Sequence, residues 1–261
     1  MSVHQKVLLP HPNPMTLGGT NAYIVGAERS RSVIVVDPGS TDLDPLIEAI
    51  GARQIALILL THHHSDHTIG AAMLRERSGA PIRAWRTGLC AGGDRLRDGE
   101  QINASGVRLI VLHTPGHTSD SVCFDLPDAG ADGSVLTGDT LLGSGTTIIE
   151  HPDGRLSDYL ASLDRLEALG MARVLPGHGP EGLELARMVI EYRFRRLGRL
   201  AELRTRLAND TRSLSVNELA TATYPDKTHP RMRRAAERTI LAQLFYLGDS
   251  RGDELISESQ D

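Results

Sequence analysis

The segment Thr61-His62-His63-His64-Ser65-Asp66-His67 sets four imidazoles and a carboxylate in one short stretch. It directly follows the apolar run Ile55–Leu60, so a buried strand delivers ligand-capable side chains into a loop. Burying that many polar groups without partners is costly, and a metal ion gives them a common partner. In an extended segment residues two apart share a side. His62 and His64 can therefore grip one ion while His63 points away. The chain then turns, which lets Asp66 and His67 reach a second ion nearby. Imidazole with carboxylate suits Zn2+, with Mn2+ or Fe2+ as alternatives.

The same event recurs three times. Gly116-His117 follows Val107–Leu112, Gly138-Asp139 follows Val135-Leu136, and Gly177-His178 follows Val174-Leu175. Alone, each of these side chains is more simply a hydrogen-bonded residue or a turn former. Strand ends of one sheet converge on one crevice, and the repetition is what makes His117, Asp139 and His178 candidate ligands. His63 and His113 are expected to orient neighbouring ligands. His4, His11, His151 and His229 have no such context, and Cys90 and Cys123 are expected to be ordinary core or turn residues.

Elements must place these residues. Strands are expected at Asn21–Val25, Ser32–Val36, Ile55–Thr61, Val107–His113, Ser121–Leu126, Ser134–Thr137 and Arg173–Leu175, ended by turn signals such as Asp37-Pro38-Gly39. Helices are expected at Asp44–Ile50, Gly70–Arg77 and Asp158–Leu169. The alternation implies an α/β architecture, either a parallel sheet of βα units or two stacked sheets with helices outside. After Leu183 the pattern becomes helical. A long arginine-rich helix spans Leu183–Leu207, Asn209–Ser213 is a polar break, and Ser215 with Glu218 has capping-box spacing. Tyr224-Pro225 stops that helix. A further helix is expected from His229 to Leu247, capped by Thr228 and ended by Gly248, and Ser250–Asp261 reads as a polar tail.

The 261 residues suffice for one large domain or a main domain with a small companion. Histidines number 11, while Trp, Tyr and Phe together number nine. Two cysteines cannot build a disulfide framework. There is no leader-like apolar run at the start and no stretch of spanning length, so a soluble, cytoplasmic protein that avoids the membrane is expected. The net charge of −5 is uneven: Glu184–Arg238 carries +6 and the remainder −11. That basic part reads first as a solvated helix face, and otherwise as a surface for an anion or nucleic acid.

Taken together, His62-x-His64-x-Asp66-His67, followed in order by His117, Asp139 and His178, resembles the metallo-β-lactamase fold superfamily over residues of about 5–182. The resemblance implies an αββα sandwich with metals at one edge. It assigns His62, His64 and His117 to one metal, Asp66, His67 and His178 to a second, and Asp139 to a bridge between two Zn2+. The stretch Asn13–Tyr23 and Leu175–Pro180 look like the β-lactamase-like protein 2 group, which includes a single-strand endoribonuclease. Fungal polyketide thioesterases share that opening. The group also implies a small winged-helix-like C-terminal domain, so the expected division is 1–182 catalytic and 183–261 helical. Glyoxalase II is also similar at Thr61–His67 but departs at Gly179-Pro180, where it has Glu-Tyr. Ile69 stands where the pattern usually has glycine, and is expected to reshape that side of the site.

The implied activity is hydrolysis by a metal-activated hydroxide of an ester or thioester, carrier-bound or free, with Asp66 accepting and passing on the proton. A single-strand endoribonuclease is the alternative, with RNA as partner. A nucleic-acid-binding protein with a relic metal site is the third reading. The oligomeric state is open, with a dimer among the states allowed.

Overall fold

The period of two along the strands sorts their side chains into three layers. A computed structural model describes residues 3–11, 13–209 and 214–249. Its first sheet has the order β1 (His4–Leu9), β2 (Thr20–Val25), β3 (Ser32–Val36), β4 (Gln54–Leu59) and β5 (Ile82–Arg83). The second has β10 (Arg173–Pro176), β9 (Ser134–Gly138), β8 (Val122–Leu126), β7 (Val107–His113) and β6 (Gln101–Ala104). Both are mixed: β3, β4 and β5 run parallel, as do β9 and β10, and the other pairs are antiparallel.

Tyr23, Val25, Ile34, Val36, Leu57 and Leu59 point inward onto Val122, Phe124, Leu136 and Leu175 of the other sheet. Their neighbours Ala22, Ile24, Val33, Val35 and Ile58 point outward beneath helices α1 (Asp44–Ile50) and α3 (Ala71–Ser78). Behind the second sheet, Cys123, Val135 and Val174 pack on α4 (Leu156–Glu167) and α5 (Leu185–Ala208). The result is an αββα sandwich, the stacked-sheet alternative of the two the sequence allowed. A single turn, α2 (Ser65–Thr68), carries the end of the histidine segment.

All seven expected strands are present. Three more, β1, β5 and β6, were not anticipated. β5 has two residues, too few to show a period. β6 is the partner of β7 in a hairpin whose turn, Ser105-Gly106, has both residues at positive φ, the geometry of the two-residue turns that join antiparallel strands.

The C-terminal extension is helical among the described residues: α5, α6 (Val216–Thr223) and α7 (Pro230–Leu247). No strand follows α5 there, so a wing is not part of them. The capping box forms between Ser215 and Glu218, and Gly248 ends α7 in the left-handed region. The cap of α7 is His229 and not Thr228; its Nδ1 accepts the Arg231 N–H at 3.3 Å, because proline at the first helical position makes the preceding residue the cap. Residues 210–213 of the polar break and the tail 250–261 lie outside the described residues. Leu203, Leu219, Ile240 and Leu244 form a small core among the three helices, while Leu200 and Ala242 join the layer behind the second sheet. No helix of the described residues is long and apolar enough to cross a membrane.

Candidate metal centre

All seven expected ligands converge at one edge of the sandwich, beyond the ends of β4, β7, β9 and β10. His62 Nε2 lies 3.0 Å from His64 Nδ1, which lies 3.1 Å from His117 Nε2. On the other side His67 Nε2 is 3.2 Å from His178 Nε2. Asp66 Oδ2 approaches His178 Nε2 at 3.4 Å. Between the two groups stands Asp139, with Oδ1 3.4 Å from His67 and Oδ2 3.7 Å from His117.

Four of the five rings are held at their opposite edge by the protein, which orients them. His117 Nδ1 donates to the Ile148 carbonyl at 2.8 Å, and His178 Nδ1 to the Gly19 carbonyl at 2.9 Å. His67 Nδ1 donates to Asp37 Oδ2 at 2.8 Å. His62 Nδ1 is 3.1 Å from Thr61 Oγ1, whose hydroxyl donates to the same Asp37 oxygen at 2.6 Å. Asp37 thus orients two rings, and it does so from a positive φ of 52°, a region L-residues seldom occupy. The Thr61 N–H donating to its Oδ1 at 2.8 Å helps hold it there. The close approach of β10 to the site needs glycine: a Cβ on Gly177 would meet His67 Cε1 at 2.7 Å and Asp139 Oδ1 at 2.9 Å.

This arrangement fits two cations. With Nδ1 of His62 and His117 acting as donors, both Nε2 atoms carry lone pairs turned toward His64 Nδ1. At most one of those contacts can be a hydrogen bond from a neutral His64. Burial, reinforced by the neighbouring imidazoles, keeps His62 well below the ordinary histidine pKa. His64 falls to about 3, chiefly through burial and then the His117 charge, and burial lowers His117 despite Asp139. Three neutral imidazoles facing one point is the form that ligates a metal. Around the second point, burial opposes charge, yet Asp37 and Asp139 hold His67 well above its usual pKa. Burial likewise opposes ionisation of Asp139, but His178 and His67 keep it far below the carboxylate range. Its Oδ1 is buried without a well-formed hydrogen bond.

Asp37, Gly19 and Ile148 were not singled out by sequence. Asp37 closes a strand just as Asp139 does, and that parallel was the available signal. Two expectations need correction. His113 reaches no ligand; its ring stacks on Trp85 at 3.7 Å and its Nε2 bonds the Ser119 carbonyl at 3.0 Å. His63 turns away, as the alternation required, and bonds Asp120 at 2.8 Å. Ile69 is 46% exposed, and it is not among the residues that line the cavity beside the ligands.

That cavity, of about 450 Å³, opens onto His64, Asp66, His117, Asp139 and His178. Its far wall comes from the C-terminal helices, including Met232, Ala235 and Ala236 of α7. Those helices also fix the loop that carries Ile148. Buried Arg196 of α5 donates to the Thr147 carbonyl at 2.7 Å, Thr239 accepts the Ile149 N–H at 3.3 Å, and Arg238 pairs with Glu150.

Residues 15–178 match the family model described as the metallo-beta-lactamase superfamily. Among curated proteins, the chain is 32% identical over 250 residues to an atrochrysone carboxyl ACP thioesterase of Passalora fulva, covering 92% of this chain and 73% of that one. It is 31% identical over 211 residues to a beta-lactamase-like protein 2 homolog of Caenorhabditis elegans, covering 76% and 68%. Among solved structures it superposes on a metallo-beta-lactamase family protein of Thermus thermophilus with a TM-score of 0.78 and 26% identity, over 94% and 93% of the two chains. The αββα layers, the ordered ligand positions and these likenesses agree: the chain belongs to the metallo-beta-lactamase superfamily and is homologous to members of its beta-lactamase-like protein 2 group.

Proposed function

We propose that the chain is a dinuclear metal-dependent hydrolase acting on ester or thioester bonds. The observation that carries this reading is the set of three imidazoles, His62 and His117 buried and His64 half-buried, with their ring nitrogens about one point, beside a second carboxylate–imidazole group, with Asp139 within reach of both. His62, His64 and His117 would hold one ion and Asp66, His67 and His178 the other, with Asp139 placed to serve both. Zinc suits this donor set, and manganese or iron fits it too. When bound, two divalent ions supply Lewis acidity, which acidifies water and draws charge off a substrate oxygen.

The protein supplies the rest. Asp37 and Thr61 keep the His62 and His67 tautomers that leave Nε2 free. Asp66, whose carboxylate lies 3.4 Å from His178, is the group that accepts a proton and passes it on. The expected catalytic part, 1–182, provides the ligands, and α5 and α7 of the expected helical part, 183–261, contribute a wall of the cavity in which the substrate lies. Support for a thioester comes from the apolar part of that wall and from the thioesterase name of the Passalora fulva relative.

The test is a metal-replete panel of acyl thioesters, esters, phosphodiesters and RNA oligomers, with Asp66→Ala as blank. Hydrolysis of a thioester or ester that the blank lacks is expected, with about two ions per chain. A protein that repeatedly binds no metal after supplementation defeats the reading.

A further inference from the structure

The cavity runs from the metal ligands along α5, and the charge at its far end is positive. Most arginines of α5 have partners. Arg187 and Arg195 pair with Glu191 at 3.3 and 3.7 Å, Arg193 with Asp164 and Glu167 at 2.6 Å each, and Arg196 with the Thr147 carbonyl. Arg199 differs. It lines the cavity half-buried, and its guanidinium lies 4.5 Å from the centre of the Tyr224 ring. Stacking uses the face of the guanidinium and leaves its in-plane N–H donors free. Lys227 joins it from the turn after α6, where its backbone N–H donates to the Tyr224 carbonyl at 3.1 Å. Tyr224 thus braces the guanidinium of Arg199 and the backbone of Lys227. Among the described residues neither has a carboxylate partner, and the acid in the same wall, Glu150, is paired with Arg238.

We infer that Arg199 and Lys227 form an anion-binding subsite that recognises a negatively charged group on the substrate, remote from the bond that is cleaved. The inference rests on the hydrolase reading and narrows its substrate class. Leu142 lines the cavity beside the ligands, and the hydroxyl of buried Tyr192 on α5 bonds both its N–H and its carbonyl. Arg199 stands seven residues on, roughly 10 Å along the helix. Met232, Ala235 and Ala236 of α7 flank the cavity. The substrate is thus amphipathic, with an apolar stretch between the reacting carbonyl and an oxyanion. That oxyanion belongs either to the far end of the acyl chain, as a carboxylate, or to the thiol arm, as a phosphate.

Two pairs of thioesters decide between these sources. The first is hexanoyl- against adipoyl-N-acetylcysteamine, and the second hexanoyl-pantetheine against hexanoyl-4′-phosphopantetheine. With the full, metal-replete chain at low salt, the anionic member of one pair is expected to show kcat/KM higher by at least about ten-fold, the effect of one charged hydrogen bond. The preference should shrink with added salt. In the double variant Arg199→Gln, Lys227→Gln the ratio should approach one, and Arg199→Lys should retain part of it. Arg204→Gln, exposed on the same helix, should keep the full ratio.

Hydrolysis of the neutral thioesters with no preference in either pair overturns the subsite and leaves the hydrolase reading standing. Failure to cleave any thioester, with RNA cut instead, overturns both. The comparison of substrate pairs is made in the unaltered protein, so it decides the matter even where a variant folds poorly.

Discussion

Two clusters of imidazole and carboxylate lie back to back across the histidine segment, and adjacent residues feed them. His62 and His64 point into one, with His117, and His63 points into the other, with Asp120 and Asp153. In both, the donor atoms of the three residues lie within 4.8 Å of one another. Distance alone does not distinguish them; the other bonds of those atoms do. In the second cluster Arg86 reaches Asp120 at 3.3 Å and Asp153 at 2.8 Å, and Ser119 donates to Asp153 through both its N–H and its hydroxyl. That cluster contains its own cation. In the first, bonds on their far sides leave Nε2 of His62 and His117 without a proton, and no arginine or lysine pairs with these rings among the described residues. A set of donors can take a metal when its lone pairs have no other partner, so neighbouring histidines of one segment contribute to a strut on one side and to a candidate metal centre on the other.

The strongest way to break this comparison is at the shared carboxylate. Asp139→Ala should lower metal content from about two ions per chain and take hydrolysis to background. Metal analysis with unchanged content and activity would end the bridging role. A smaller effect is expected one step out. Asp37→Asn removes the charge that steadies His67 and the acceptor shared with Thr61, and metal affinity should fall about 10–100-fold, read by competition with a chelating dye. Unaltered affinity would mean that the rings need no orienting partner.

How much of this could be read from the sequence follows the same division. The convergence of the seven candidate ligands was legible because they follow the ends of apolar runs, and strand ends meet at one edge. The groups that orient the rings were harder. Two of them, Gly19 and Ile148, act through carbonyl oxygens, and a backbone acceptor has no residue type to recognise. Asp37 looked like a turn former in Asp-Pro-Gly and is one, yet its carboxylate faces inward. The basic C-terminal part was read first as a solvated helix face. Arg187 and Arg195 fit that reading with exposed ion pairs to Glu191 on the same helix, but Arg193 pairs across to α4 and Arg196, 3% exposed, holds the loop beside His117. Helical periodicity of charge cannot tell which arginine of a helix faces the core when the helix packs on two layers at once.

The mildest substitution sharpens the comparison most. Arg86→Met removes the cation from the second cluster while leaving its three donors. Arg86 is over one-third exposed but its partner Asp120 is buried, so the stability loss should be about 1–3 kcal/mol by denaturant unfolding. Metal at the first site should be unaffected, since none of the ligand rings bonds to Arg86. If an internal cation is what keeps metal out, the altered cluster now offers one imidazole and two carboxylates to an ion, and a third, weaker zinc equivalent should appear in a titration. Adding Asp120→Asn should remove it. A stoichiometry that stays at two, at zinc concentrations well above the affinity of a typical three-ligand site, would show that the second cluster is excluded from metal binding by its geometry rather than by its arginine.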